Sequence, residues 1–324
     1  MSKATKIWLI AAAILVLAGA LLIDGVIMAC NRDLTRLNTA SYQKSTHEIN
    51  EQFDSISLHT DTADIFFLSS EDDICCVICH ELEHEQHVVS VQDGTLTIRE
   101  TDTRKWYDYI GVTYGTPSVT VFLPAGQYSK LFVKESTGDV EIPKEFHFGA
   151  MDITTSTGHV TSYASASGAV KIAAGTGDIH VENLSAASLD LSVSTGKVTV
   201  TNVTCQGELS VGVSTGKAYL TDVTCGNFTT SGNTGDLSLC RVIAAERFSI
   251  ERTTGDVTME QCDAAEIFVA ADTGDVEGTL LTEKVFFVTT DTGDVQVPRT
   301  ATGGRCEIIT DTGDVKIDLS SDGK

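Results

Sequence analysis

Paired aspartates near the C-terminus are the residues of this sequence with the composition of a hard-cation site. Each pair has its two members three positions apart, and the three pairs are Asp272/Asp275, Asp291/Asp294 and Asp311/Asp314. Carboxylate oxygens are the ligands that Ca²⁺ prefers, and stacked carboxylates repel each other without a cation. The pairs therefore predict a calcium site as one interpretation. The alternative, which we favour, is turn chemistry, because a short carboxylate at a chain reversal accepts a nearby amide hydrogen bond.

A second group combines thiols with imidazoles, the donors that zinc prefers. It comprises Cys75, Cys76, Cys79, His80, His84 and His87. In an extended strand successive side chains point to opposite faces, so Cys75 and Cys79 would face away from Cys76 and His80. A zinc site would need a sharp reversal of the chain at this point. We therefore interpret these cysteines as small apolar strand residues.

The densest aromatic stretch of the chain is 106–114, with the sequence WYDYIGVTY. Tryptophan and tyrosine dominate the contacts that carry most of the binding energy in protein interfaces. The stretch predicts a partner-binding loop made by Trp106, Tyr107, Tyr109 and Tyr114. The alternative is that these rings pack over an open end of the fold, and both interpretations stay open.

Enzyme signatures are missing from the sequence. It contains no phosphate-binding glycine loop, nucleophile elbow or HExxH helix. Enzymes that act on polysaccharides with a β-helix cluster carboxylates, arginines and lysines on one face, whereas the carboxylates here recur periodically along the chain. We predict no catalytic residue and no cofactor other than the calcium considered above.

All these residues belong to, or flank, a repeat with a period of 19 or 20 residues. A Thr-Gly pair occurs ten times, and an aliphatic residue follows two positions after each glycine. The ten glycines are Gly138, Gly158, Gly177, Gly196, Gly216, Gly235, Gly255, Gly274, Gly293 and Gly313. A fixed period of this length is typical of solenoid and other repeat architectures.

One repeat contains two short strands and two turns. After Gly196, Val198 and Val200 alternate with threonines, and Leu209, Val211 and Val213 alternate with small residues. This period of two residues indicates half-buried strands. A unit so small must stack on its neighbours to bury its apolar face. The sequence therefore predicts an all-β fold, a β-solenoid of about ten coils with a length of roughly 48 Å at about 4.8 Å per coil.

The repeated glycine has a backbone reason. Each coil must reverse at the same place, and a residue with positive φ is least strained as glycine. The following residue is an aspartate in seven copies and His159, Lys197 or Lys217 in the other three. We therefore predict that the ten glycines are structural turn residues.

Cys205 and Cys225 each lie nine residues after their glycine, which predicts that they stack in adjacent coils within reach of a disulfide.

The N-terminus predicts a membrane anchor. Lys3 and Lys6 precede an apolar run from Ile7 to Ala29, interrupted by Asp24. Such a run is long enough to span a bilayer, and the leading lysines place residues 1–6 in the cytoplasm and the bulk outside. A cleaved signal sequence and a lipoprotein signal with an acylated Cys30 are the alternatives to a transmembrane helix over 7–29.

The remaining boundaries follow from composition. We predict a polar linker over 30–45, a β-rich N-terminal cap over 46–135, and the repeats over 136–324. Within the cap, Thr62-Ala63-Asp64-Ile65 is interpreted as a degenerate first copy of the repeat, with alanine in the glycine position.

The net charge is −23, and the first 30 residues contribute +1 of it, so the remainder carries −24. Such an acidic surface repels nucleic acid, and we predict no nucleic-acid partner.

The strand Val119-Thr-Val-Phe-Leu-Pro124, which leads into Ser136-Thr-Gly-Asp-Val140 and the repeats up to Val315, resembles the bacterial putative-adhesin family, a domain of unknown function. The resemblance covers roughly residues 50–320. It implies an extracytoplasmic, membrane-attached protein and supplies no catalytic residues to carry over. We predict a surface module in the cell membrane that binds cell-wall glycan or a surface protein. The alternatives are a regulatory component of an envelope-stress response and a glycan-acting enzyme.

Overall fold

The computed structural model of the chain describes residues 2–29, 41–71, 74–106 and 115–320. Its first element is a helix, α1 (Lys3–Ala29). The stretch Thr5–Ala29 within it is long and apolar enough to cross a membrane, and an N-terminal signal sequence would satisfy the same test. The helix covers the predicted segment 7–29 and begins four residues before it. Cys30 lies outside the described residues.

Nine strands lead from the helix into the first full repeat. They are β1 (Tyr42–Ile49), β2 (Ser55–Thr62), β3 (Asp64–Ser69), β4 (Cys75–Leu82), β5 (Glu85–Gln92), β6 (Thr95–Asp102), β7 (Ser118–Leu123), β8 (Gln127–Thr137) and β9 (Val140–Ile142).

Eighteen strands form the rest of the described chain. They are β10 (His147–Thr157), β11 (Val160–Ser162), β12 (Ser165–Ala166), β13 (Ala169–Thr176), β14 (Ile179–Glu182), β15 (Ser185–Ala186), β16 (Ser188–Thr195), β17 (Val198–Cys205), β18 (Glu208–Thr215), β19 (Ala218–Thr234), β20 (Leu237–Thr254), β21 (Val257–Cys262), β22 (Glu266–Thr273), β23 (Val276–Leu280), β24 (Lys284–Thr292), β25 (Val295–Gln296), β26 (Gly304–Thr312) and β27 (Val315–Leu319).

The strands stack in parallel into a β-solenoid, as predicted. A first ladder contains the strands that end at each repeat threonine, and a second ladder contains the strands that follow each repeat glycine. Equivalent residues pair from coil to coil, for example Thr176 with Thr195 and Val198 with Ala218. The degenerate copy is also a coil of this stack, because β2 pairs with β8 so that Thr62 lies opposite Thr137.

The cap extends both ladders beyond the coil of β2 and β3. On the first ladder β6 pairs parallel with β2, and β5 pairs antiparallel with β6. On the second ladder β7 pairs parallel with β3, followed by β4 and β1, each antiparallel to its neighbour. The switch to antiparallel pairing covers the open edge of the solenoid, a device that prevents edge-to-edge association.

The linker predicted over 30–45 is too long. β1 begins at Tyr42, and Tyr42–Ser45 pair with residues 79–82 of β4. These four residues are polar, which made them look like linker, but an edge strand with one exposed face tolerates polar residues because its backbone supplies the pairing.

The coils near the C-terminus do not stack in chain order. β26 pairs with β22 on one side and with β24 on the other, and β27 lies between β23 and β25 in the same way. The coil of β26 and β27, the last along the described chain, therefore lies between the coil of β22 and β23 and the coil of β24 and β25. This order fully buries Cys306, Ile308 and Ile317, whereas the coil of β24 and β25 lies at the end with Phe286 only partly buried.

The core is a continuous column of inward side chains. Leu189, Leu209, Phe228, Phe248 and Ile267 follow one another in register along the first ladder, and all are buried. Phe228 and Phe248 make an edge contact with 5.4 Å between ring centroids. Each coil thus completes the burial of its inward side chains against the coils beside it, which is the behaviour of a repeat protein.

Candidate functional site

In six of the seven copies, the aspartate after the repeat glycine accepts a hydrogen bond from an amide of an adjacent coil and not from its own turn. The amide of Lys197 donates to Asp178 Oδ1 at 2.8 Å, and the amide of Asp275 donates to Asp256 Oδ1 at 2.9 Å. Asp139 donates in the same way to Asp64 in the degenerate coil, at 3.0 Å. The carboxylates therefore satisfy amides of the turn that would otherwise lack a protein partner.

Of the three exceptions to aspartate, the histidine keeps the same arrangement and the two lysines form ion pairs instead. His159 Nδ1 accepts the amide of Asp178 at 3.0 Å. A lysine side chain cannot accept a hydrogen bond. Lys197 Nζ instead lies 3.5 Å from Asp178 Oδ2, and Lys217 Nζ lies 2.8 Å from Asp236 Oδ2. The hydrogen bond from Lys217 holds the pKa of Asp236 below its usual value.

The paired aspartates stack in the order Asp272/Asp275, Asp311/Asp314, Asp291/Asp294 because the coil order is exchanged. In this stack Asp275 Oδ1 accepts the amide of Asp314, and Asp314 Oδ1 accepts the amide of Asp294, each at 2.8 Å. These bonds give the inner carboxylates a structural role. Among the described residues, the pairs do not gather three ligand groups within reach of one ion. Calcium binding by them stays a prediction.

A groove runs along the corner at the end of the first ladder. It has a volume of about 470 Å³ and crosses five consecutive coils. Its lining comprises Thr154, Thr155, Ser156, Ala173, Ala174, Gly175, Ser192, Val193, Ser194, Gly212, Val213, Ser214, Ser231, Gly232 and Asn233. None of these groove-lining residues is charged. Five coils at about 4.8 Å each give a straight groove roughly 19 Å from the first coil to the last.

One buried polar group without a hydrogen-bond partner among the described residues lines this groove, and another lies beside one of its lining residues, Gly232. Thr155 is buried in the first of the five coils, and its Oγ1 has no hydrogen-bond partner among the described residues. At the other end, Arg252 is 3% exposed and its guanidinium takes the space that a side chain on Gly232 would fill. Its Nη2 donates to Thr230 Oγ1 at 2.9 Å, whereas Nε and Nη1 have no partner among the described residues. Burial lowers the pKa of Arg252 to about 10.

The aromatic stretch is described only in part. Trp106 lies beyond β6 and is 77% exposed. Tyr107, Tyr109 and Tyr114 lie outside the described residues, so partner binding by the four aromatics stays a prediction.

The cysteines of β4 occupy ordinary strand positions, which agrees with their interpretation as small strand residues. The alternation of β4 directs Cys75 and Cys79 inward and leaves Cys76 half-buried on the other face. Cys205 and Cys225 lie in adjacent coils, and both thiols are buried and free. Burial raises the pKa of Cys75 and Cys225 to about 12, so these thiols are protonated at neutral pH and unreactive.

The interior of the cap holds a polar cluster that was not predicted. Glu81 on β4 and His87 on β5 are buried beside Cys79, and Thr60 on β2 contacts His87. Glu81 alternates in phase with the inward cysteines, a signal visible in the sequence. The partnership with His87 and Thr60 is not visible there, because it depends on which strands pair.

A second turn column was also missed. Asn183, Asn202, Asp222, Arg241 and Gln261 have positive φ between 51° and 55°. Asn and Asp adopt this conformation more readily than other residues. Asn202 Nδ2 donates to Asn183 Oδ1 at 2.5 Å, and Arg241 binds both carboxylate oxygens of Asp222 at 2.5 and 2.8 Å. Their spacing of 19 or 20 residues was the available signal.

Comparison with known proteins gives a family match. A family model described as Toastrack DUF4097 matches residues 53–217 and 206–324 of the chain. No curated protein matches it.

Three solved structures resemble the chain at a distance. A putative adhesin from Parabacteroides distasonis ATCC 8503 is 12% identical, with 84% of this chain and 98% of that chain covered and a TM-score of 0.44. A putative adhesin from Parabacteroides merdae ATCC 43184 is 12% identical, with 87% and 98% covered and a TM-score of 0.46. A protein from P. distasonis ATCC 8503 named as a putative lipid binding protein is 14% identical, with 85% and 97% covered and a TM-score of 0.47. We infer no ligand or activity from these values.

Proposed function

The chain belongs to the Toastrack DUF4097 family, and with that membership as the premise we propose that it is a non-enzymatic, extracytoplasmic module that binds an extended partner of the cell envelope. The partner that fits best is a glycan chain of the cell wall, and a second surface protein is the alternative. The observation that carries the proposal is the straight, uncharged groove across five coils.

The chemistry of the groove favours an uncharged polymer. Its serine and threonine hydroxyls donate and accept hydrogen bonds, and the small floor residues leave room for a chain to lie along the rod. The Thr155 hydroxyl lines the groove, and its hydrogen-bonding capacity is not used by the described part of the protein. Such groups gain most from a ligand that satisfies them.

The topology follows from the N-terminus. We propose that α1 anchors the protein with residues 1–6 in the cytoplasm, because Lys3 and Lys6 precede the apolar run. The solenoid then extends outside the membrane, where wall polymers are accessible. Its acidic surface keeps the rod soluble and away from anionic lipid headgroups.

Filling the groove should weaken binding without unfolding the coils. A Cβ on Gly212 would meet its nearest neighbours only at 3.9 and 4.0 Å, so Gly212→Trp places an indole in the groove with little backbone strain. We expect binding to purified wall glycan to weaken at least tenfold, about 1.4 kcal/mol. The measurement is co-sedimentation of the protein with purified cell-wall sacculi.

Ser210→Trp is the matched control, because Ser210 lies two residues away on β18, outside the groove. Equal binding by the two variants would refute the groove as the contact surface. Release of soluble fragments from the sacculi by the wild-type protein would show instead that the chain is an enzyme.

Trp106 is the second proposed contact. Trp106→Ala should weaken binding to the same sacculi by about 2 kcal/mol, because an exposed indole is a typical hot-spot residue. Tyr219→Ala, at a ring that is 39% exposed on the solenoid, serves as the control. The variant with alanine at Trp106, Tyr107 and Tyr109 should lose more than the single one and keep its β-sheet circular dichroism. Unfolding of that triple variant would show that the stretch is part of the cap.

A further inference from the structure

The polar cluster of the cap brings three different metal-binding groups together. One ligand atom each from Cys79, Glu81 and His87 lies within 4.8 Å of the other two, and all three side chains are buried. Cys79 and Glu81 share the inward face of β4, and His87 reaches them from β5. Thiolate, carboxylate and imidazole are the ligand set of zinc sites.

Hydrogen-bond donors around the cluster fix the state of the His87 ring. Glu100 Oε2 accepts the amide of Asp61 at 2.6 Å and the hydroxyl of Thr60 at 2.7 Å. A threonine hydroxyl has a single hydrogen, and here Glu100 receives it. The contact of 3.1 Å between Thr60 Oγ1 and His87 Nε2 therefore needs Nε2–H as the donor.

With its hydrogen on Nε2, the neutral imidazole presents a lone pair at Nδ1. That atom lies 2.9 Å from Glu81 Oε2, which is itself an acceptor and already receives the amide of His87 at 2.7 Å. Two hydrogen-bond acceptors at this distance need a proton or a metal ion between them. A proton on Nδ1 would connect only His87 and Glu81, whereas a metal ion would also bind the sulfur of Cys79.

We propose that a divalent ion of the zinc class binds in the cap through Cys79 Sγ, a Glu81 carboxylate oxygen and His87 Nδ1. A thiolate and a carboxylate balance the charge of such an ion, so the buried site would carry no net charge. The ligand atoms of a tetrahedral zinc ion lie roughly 3.3–3.7 Å apart, which small side-chain rotations reach from the present arrangement. The fourth position is left for a water molecule.

The groups behind the ligands also fit a metal site. Ser45 donates to the other oxygen of Glu81, Oε1, at 2.8 Å, and the Thr60–Glu100 pair orients His87 from the Nε2 side. Hydrogen bonds of this kind commonly fix ligand orientation around zinc. The ion would tie β4 to β5 and both to the first coil through Thr60. It would therefore stabilise the cap, a role separate from binding in the groove.

Metal analysis of the purified protein tests this proposal. The full-length chain, produced in zinc-supplemented medium and purified in detergent, should contain about one zinc ion per molecule. Cys79→Ser and His87→Gln should lower this content to roughly a tenth or less. Cys76→Ser, on the other face of the same strand, and Cys205→Ser, in the solenoid, should leave it unchanged.

Cobalt substitution keeps the test decisive if the cap variants do not fold. The wild-type protein, stripped with a chelator and titrated with Co²⁺, should develop a thiolate-to-cobalt charge-transfer band that Cys76→Ser retains. Removal of the metal should also lower the melting temperature of the wild-type protein. A wild-type chain that contains no zinc and gives no thiolate band with Co²⁺ would overturn the proposal and leave a proton on Nδ1 as the explanation.

Discussion

Replacing Gly216 with alanine should lower the free energy of unfolding by about 3–5 kcal/mol, the largest effect expected for a single methyl group in this protein. Gly216 has φ of 135°, a conformation that L-residues rarely adopt. In addition, a Cβ at this position would overlap the carbonyl oxygen of Gly196 in the adjacent coil. The turn can relieve this overlap only by separating two coils, which also breaks the hydrogen bond from the amide of Gly196 to Thr215.

Gly212→Ala is the matched control for this prediction. Gly212 lies four residues earlier, in the same coil, without a positive φ, and a Cβ there would make only ordinary contacts. We expect its effect on stability to stay within about 0.5 kcal/mol. Urea unfolding followed by circular dichroism gives both values. Similar losses for the two variants would show that the repeated glycine is not required by the backbone.

Replacing Glu135 with glutamine should stabilise the protein at alkaline pH, by about 2–4 kcal/mol at pH 9. The Glu135 side chain is 2% exposed, and neither carboxyl oxygen has a hydrogen-bond partner among the described residues. Burial is the main cause that raises the pKa of Glu135 from 4.5 to about 8; the nearby backbone amide of Ala63 opposes the shift, and the charges of Asp64, Asp139 and Glu100 add to it. An ionised carboxylate is therefore destabilising at this position.

The pH dependence has a definite sign. Between pH 4.5 and 8 the folded state retains a proton that the unfolded state has released, so stability falls as the pH rises through this window. Glutamine does not titrate, and the variant should lose this part of the dependence. At pH 4 the titration of Glu135 should contribute little to the difference in unfolding free energy between the variant and the wild type. Glu141→Gln, at an exposed position in β9, is the control. Thermal unfolding from pH 4 to 9 measures the difference, and parallel curves for Glu135→Gln and the wild type would contradict the prediction.

Much of the fold could be predicted from the sequence because the solenoid is made of local patterns. The alternation of Val198 and Val200 with threonines specifies a strand in any coil, and glycine at each reversal specifies the turn. Even the degenerate coil at Ala63 was recognisable, since the residues after it keep the pattern. In a repeat protein each coil has the same environment as the next, so one correct interpretation of a repeat applies to nearly all of them.

The tertiary structure alone decided which residues meet across coils and strands. Chain order predicts that the coil of Gly293 stacks directly on the coil of Gly274. In the structure the coil of Gly313 lies between these two, and this order buries Ile308 and Ile317 on both sides. The repeat period shows where the aspartates lie, but the amides they accept belong to neighbouring coils. The groove is likewise visible only once five coils are aligned.

The cap shows this limit most clearly. The sequence drew attention to its cysteines and histidines, and the alternation of β4 correctly separated Cys79 from Cys76 and His80. The neighbours of Cys79 are Glu81, on the same face of β4, and His87, which lies close because the chain reverses between β4 and β5. Thr60 of the first coil contacts His87 in turn. Alternation determines the face on which a side chain lies. Its neighbours depend on strand pairing between distant segments, and the cap has no repeat from which that pairing could be inferred.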